Sequence, residues 1–142
     1  MILVDSSVWI HYFKGNDNPQ TEWLDRALGT VFIVTGDLIL MEVLQGFHVD
    51  KEFLLAKNQL IQFPVINMGG QEMSIKSAIH YRKLRKQGIT VRKSIDVLIG
   101  TFCIHHHLTL LHDDRDFEPM VKYLHLKTVE FNIQKTKKET LH

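Results

Sequence analysis

Short apolar runs too brief to form anything but strands punctuate this sequence, and stretches long enough for helices separate them. The runs are Ile2–Val4, Val31–Thr35, Phe63–Ile66, Leu108–Leu111 and Lys127–Phe131. Strands that alternate with helical segments indicate βα units around a parallel sheet. Ile2–Val4 is continuously apolar, as expected of a strand covered on both faces. Pro64 marks its run as an edge strand or a strand start. The helices are expected as follows. A first one is capped by Ser6 or Ser7. Gln20–Leu28 follows Pro19, and Leu38–Gln45 is capped by Asp37 and stopped by Gly46. Asp50–Gln62 comes next, then Gln71–Gln87, ended by Gly88. Ile95–His107 is capped by Ser94, and Phe117–Leu124 by Asp116.

The 142 residues make one domain, expected over residues 1–133, with a loose polar tail over residues 134–142 that holds three Lys and one Glu. A chain of this length buries roughly 70% of its unfolded surface and folds without staples. Cys103 is the single cysteine, so no internal disulfide forms and a reducing cytosol is the natural compartment. The N-terminus has no basic region or cleavage site, and Asp5 interrupts it. No apolar stretch approaches the roughly 20 residues that span a bilayer. A cytoplasmic protein is therefore expected. The net charge of +1 conceals a strongly basic stretch. Between Met73 and Ile95 lie Lys76, Arg82, Lys83, Arg85, Lys86, Arg92 and Lys93, with no acid among them. Such a stretch attracts a polyanion, although a solvated helix face has the same composition.

Ligands of open α/β sheets bind beyond the carboxyl ends of the strands, so the acids near those ends carry the most information. Asp5 follows the first strand directly; a capping role would also explain it. Glu42 has Leu38, Ile39, Gln45 and Gly46 one helical turn away, on the face a core would use. An ionised Glu there is costly unless it has a partner, whether an Arg or a cation. Asp96 opens a nearly all-apolar helix, where free amides and the dipole favour its charge. Asp113, Asp114 and Asp116 crowd the segment after the fourth strand and repel one another. Asp116 can be spent as a cap and Asp113 can be a loop residue, which leaves Asp114 as the favoured ligand. Four carboxylates that converge from distant segments suit Mg²⁺ or Mn²⁺. Such ions assist in-line displacement at phosphorus.

In order and spacing, four stretches resemble the PIN domain, and within it the VapC toxins: Val4–Ile10, Met41–Gly46, Asp96–Gly100 and Asp114–Phe117. The resemblance extends over about residues 1–131. It implies a three-layer α/β/α fold with a central five-stranded parallel sheet, and a Mg²⁺- or Mn²⁺-dependent endoribonuclease. It implies a catalytic and metal-holding quartet of Asp5, Glu42, Asp96 and Asp114. Asp116 matches a more variable acid that helps hold metal or the loop. Ser6 matches a small polar position that bonds the first Asp or a metal water. His112 departs from the Thr or Ser the family often has there. Relatives of this kind are usually homodimers held inactive by a small antitoxin, often with an antitoxin Arg entering the acidic site.

The remaining candidates are weaker. His105, His106 and His107 are consecutive, so they point in different directions from one helix end and make a poor metal cluster. Trp9, Trp23 and Cys103 read as core or interface residues. Tyr81 and Arg82 are RNA-contact candidates, along with Lys83, Arg85, Lys86, Arg92 and Lys93. Two other functions remain open: an RNA-maturation nuclease with no toxin role, and a binding module without chemistry.

Overall fold

The structure, a computed structural model, describes residues 1–131. The predicted tail lies outside them. In chain order the elements are β1 (Ile2–Val4), α1 (Ser6–Phe13), α2 (Pro19–Ala27), β2 (Ile33–Gly36), α3 (Asp37–Leu44) and α4 (Asp50–Leu60). Then come β3 (Val65–Ile66), α5 (Gln71–Lys86), α6 (Ser94–His106), β4 (Thr109–Leu111), a 3₁₀ turn (Arg115–Phe117) and α7 (Glu118–Leu124). Among the described residues no helix is long and apolar enough to cross a membrane.

All strands are parallel, in the order β3-β2-β1-β4. β1 is central, pairing Leu3 with Val34 on one side and with Leu110 on the other. All three are fully buried or nearly so, as the continuous apolar run predicts. The chain steps from β1 to β2 to β3 in one direction, then returns past β1 to β4. Right-handed crossovers require those two directions to use opposite faces of the sheet. The packing agrees: α1 contacts α2 and α3, and α3 contacts α4, whereas α5 packs on α6 and α7. The reversal makes a switch point between β1 and β4, which is where such sheets bind ligands.

The sheet has four strands, not the five expected. Residues 127–129 do run parallel to β4, but through a single bridge from Leu110 to Thr128. Leu110 N–H donates to Lys127 O at 2.9 Å and Val129 N–H to Leu110 O at 3.0 Å. With Lys127 and Glu130 exposed, little apolar burial is present to extend the ladder. β2 starts later than predicted, because Val31 N–H still bonds back to Ala27 O and closes the turn after α2. β3 is an edge strand of two residues. Pro64 precedes it and accepts from Thr35 N–H at 2.9 Å.

Four caps differ from expectation. Asp5, not Ser6 or Ser7, caps α1. Neither Asp37 nor Ser94 caps its helix through its side chain. Asp37 Oδ1 instead accepts from Leu38 N–H and from Met68 N–H, at 2.8 and 3.1 Å, and so ties α3 to the segment after β3. Asp114, not Asp116, caps the turn that leads into α7.

Gly36 closes β2 against that same segment. An added Cβ would fall 2.7 Å from Met68 Cγ and still closer to Met68 Sδ. Met68 is fully buried and its backbone is held by Asp37, so the side chain has little room to retreat. Gly36→Ala is therefore expected to cost about 1–3 kcal/mol, read by urea unfolding. An unchanged midpoint would refute this account of the junction.

Candidate metal centre

The switch point is built from the ends of β1 and β4. Asp5 N–H donates to Leu111 O at 2.9 Å, which fixes the two strand ends side by side. The backbone of Asp5 is extended, and its Oδ2 accepts from Ser7 N–H at 3.2 Å and from Ser7 Oγ at 2.6 Å. Ser7 Oγ in turn accepts from Asp113 N–H at 3.0 Å. Ser7 thus links the loop after β4 to the start of α1. The hydroxyl that bonds Asp5 is that of Ser7, whereas the expectation gave Ser6 either this bond or one to a metal water. The Ser6 side chain favours the ionised form of Glu42.

Asp96 arrives from the other face of the sheet, in the first turn of α6, and is 5% exposed. Its Oδ2 is buried with no hydrogen-bond partner. Glu42, in the second turn of α3, is half-buried, and its Oε1 is likewise buried and unpartnered. Asp114 Oδ1 accepts from Asp116 N–H at 2.9 Å. Among the described residues, Asp96, Asp114 and Asp116 form the one group whose oxygen ligands lie within 4.8 Å of one another. Asp116 therefore sits closer to this centre than a cap would. Asp5 and Glu42 do not complete the close group, yet both act on it through charge.

Burial raises the pKa of Asp5, and the two bonds from Ser7 partly offset it. Glu42 is raised by burial and then by Asp5, with Lys93 opposing. Asp96 is pushed up to about 7, by burial first and then by Asp5, while Lys93 lowers it and Asp114 and Glu42 add to the rise. The four acids thus share one electrostatic neighbourhood, and together they are poorly compensated. Lys93 Nζ, 4.0 Å from Asp114 Oδ2, is their nearest cation. A cavity of about 70 Å³ opens beside Asp96 and Asp116, with Arg92 and Arg115 in its wall. Two buried carboxylate oxygens without partners are costly in a protein interior. A hard divalent cation held by Asp96, Asp114 and Asp116 would satisfy Asp96 Oδ2 and offset the charge of Glu42, and an all-oxygen donor set is the kind it prefers.

His112 takes no hydroxyl role. Its Nδ1 accepts from Asp114 N–H at 3.1 Å, and burial lowers its pKa despite the neighbouring acids, so a neutral ring holds the loop. The six basic candidates divide. Lys93 faces the acids and Arg92 the small cavity, Arg82 and Arg85 line a separate groove between α5 and α6, and Lys83 and Lys86 are exposed on α5. His105 bonds Lys76 Nζ at 2.7 Å and lies 3.8 Å from Glu72, well apart from the acids. Trp9 is core, packed on Phe13 and Phe63, Trp23 is half-buried, and Cys103 is fully buried. Sequence reasoning missed Ser7 and the counter-charge role of Lys93. The Asp-Ser-Ser run held a signal for Ser7, since an Asp that caps a helix bonds two residues ahead.

Compared with known families, residues 2–122 match the model of the PIN domain. The chain is 29% identical to ribonuclease VapC11 of Mycobacterium tuberculosis over 133 residues, covering 92% of this chain and 99% of that protein. Among solved structures it resembles VapBC2 of Rickettsia felis bound to a promoter DNA fragment. There the TM-score is 0.73 at 12% identity, over 93% of this chain and 100% of the other. It also resembles VapBC-5 of Mycobacterium tuberculosis, a member of the VapBC family of toxin–antitoxin systems. The TM-score is 0.66 at 16% identity, over 91% of this chain and 97% of the other. These two likenesses concern the fold.

Proposed function

This chain belongs to the PIN domain family, and from that premise we propose that it is a metal-dependent endoribonuclease acting as a cytoplasmic toxin. The observation that carries the proposal is the pair of buried, unpartnered carboxylate oxygens, Glu42 Oε1 and Asp96 Oδ2, at the switch point of the sheet. Asp96, Asp114 and Asp116 hold a Mg²⁺ or Mn²⁺ ion, with Glu42 and Asp5 completing the negative site. When bound, such an ion would lower the pKa of water and offset charge at the phosphodiester.

The other tasks fall to the chain itself. Ser7 fixes the Asp5 carboxylate and, through Asp113 N–H, the loop that carries Asp114. Asp96 sits in the first turn of α6, where the helix dipole favours its ionised form. Lys93, Arg92 and Arg115 surround the acids and hold the phosphates of RNA, which five carboxylates would otherwise repel. The relatives named ribonuclease support RNA as the substrate, and the VapBC likeness supports a small antitoxin as partner. A homodimer is the assembly proposed.

Incubation of the purified chain with a mixed-sequence RNA tests the chemistry. Cleavage is expected with Mg²⁺ or Mn²⁺ and none with EDTA. Cleavage that persists in EDTA, or its absence with either ion, rejects the reading. Growth arrest on expression, relieved by a partner encoded beside the gene, separates a toxin from a maturation enzyme.

A further inference from the structure

One further hollow opens outside the acid site. It lies between α5 and α6, has a volume of about 460 Å³, and is walled by Tyr81, Ile95 and Leu98, with Ser77 beside them and Arg82 and Arg85 also in its lining. Its position is the first clue. Ile95 and Val97 both line it and flank Asp96 in sequence, so a single turn of α6 presents the acid to one side and the hollow to the other. Its chemistry is the second. The walls are apolar and include an aromatic ring, and the buried Ser77 hydroxyl has no hydrogen-bond partner. A nucleobase has the matching properties, a π-face that stacks and an edge that hydrogen-bonds.

The rim narrows the choice of occupant. The guanidinium of Arg85 lies over the Tyr81 ring, 5.8 Å from its centroid, and Arg82 stands beside it in the lining. No acid interrupts the sequence between Glu72 and Asp96. A second copy of the chain docked here through a two-fold axis would press this positive rim against itself. The volume falls within the ~300–1,000 Å³ usual for small-molecule sites, so it suits a single base better than a long helix groove.

We propose that this hollow is a base-binding subsite, which accepts the nucleobase of a nucleotide next to the cleaved phosphodiester and sets the base preference there. The proposal rests on the nuclease reading above. Ala78 is an exposed α5 residue in the same lining, and Ala78→Phe would fill the hollow without touching the acids. Tyr81→Ala would remove the stacking surface.

The experiment sequences the RNA 5′ ends released from a randomised oligonucleotide by the parent chain, Ala78→Phe, Tyr81→Ala and Tyr81→Phe in Mn²⁺. Light scattering and Mn²⁺ calorimetry are run on each. In the first two variants, base preference should flatten at one position beside the cut, with kcat/KM on the preferred sequence down roughly 10- to 100-fold. Mn²⁺ binding and molecular mass should not change, and Tyr81→Phe should retain the preference. An active parent with unaltered preference in both variants overturns the subsite alone. A changed mass in Ala78→Phe identifies the face as a contact between protein chains and also overturns it. A parent that cleaves nothing brings down the nuclease reading and this subsite with it.

Discussion

Asp96→Asn is expected to reduce RNA cleavage roughly 100- to 1,000-fold and, in the metal-free protein near neutral pH, to raise the melting temperature. The two effects share a cause. Asp96 is 5% exposed, has one oxygen without a partner, and sits among Asp5, Glu42 and Asp114, which oppose its ionisation. In the proposed enzyme that unmet charge is what attracts the cation. Without the cation it is a liability, because burial and like charges both penalise it. Asparagine keeps the shape and removes the charge, so binding and chemistry fall while the fold gains. A gain of about 1 kcal/mol corresponds to roughly 3–4 °C at this chain length. Thermal melts in EDTA, beside cleavage assays in Mn²⁺, read both effects. Retained cleavage would sink the metal assignment. Lost cleavage with a lower melting temperature would mean that Asp96 holds the fold rather than a cation.

Features governed by short-range pattern were legible in the sequence. The paired strands Ile2–Val4 and Thr109–Leu111 are short and apolar because both faces are covered, and that leaves a mark in the sequence itself. Asp5 and Asp96 stood out for the same reason, as charges set directly against apolar runs. Features that depend on how separate segments meet were not legible. Asp114 and Asp116 are two residues apart with identical side chains, and which of them caps is decided by the path of the loop leaving β4. Ser6 and Ser7 are adjacent and identical, yet only Ser7 points to both Asp5 and Asp113 once β1 and β4 lie side by side. The fifth strand failed for a related reason. Its pairing depends on one neighbour, β4, and on apolar burial that the segment from Lys127 to Glu130 does not supply. Parallel crossovers had a further consequence invisible in local pattern: they brought Lys93 and Asp114 together across more than twenty residues of chain.

Metal-free protein should lose stability as pH rises from about 6.5 to about 8, the reverse of what paired carboxylates produce. Asp96 is pushed from its ordinary 3.8 up to about 7 in the folded chain. Between those values the folded state holds a proton that the unfolded state has released. Stability from this group is thus complete below about 3.8 and is lost as pH climbs through about 7. Asp5 and Glu42 are raised too and act in the same direction. His80, His106 and His112 are lowered from 6.5, so they take stability away as pH falls below that value and oppose the acids only there. Above about 6.5 the acids act alone, and Asp96 by itself accounts for about 1 kcal/mol of loss by about pH 8. Divalent cation should invert the slope. It binds the ionised acids, so its stabilisation grows as they lose protons, reaching about 2.7 kcal/mol at a hundredfold excess over Kd. Melting curves taken across this window, with EDTA and with Mn²⁺, should therefore diverge as pH rises. In Asp96→Asn the EDTA series should flatten. A metal-free melting temperature that climbs from about pH 6.5 to about pH 8 would show that these carboxylates are compensated within the chain, with no vacancy for an ion to fill.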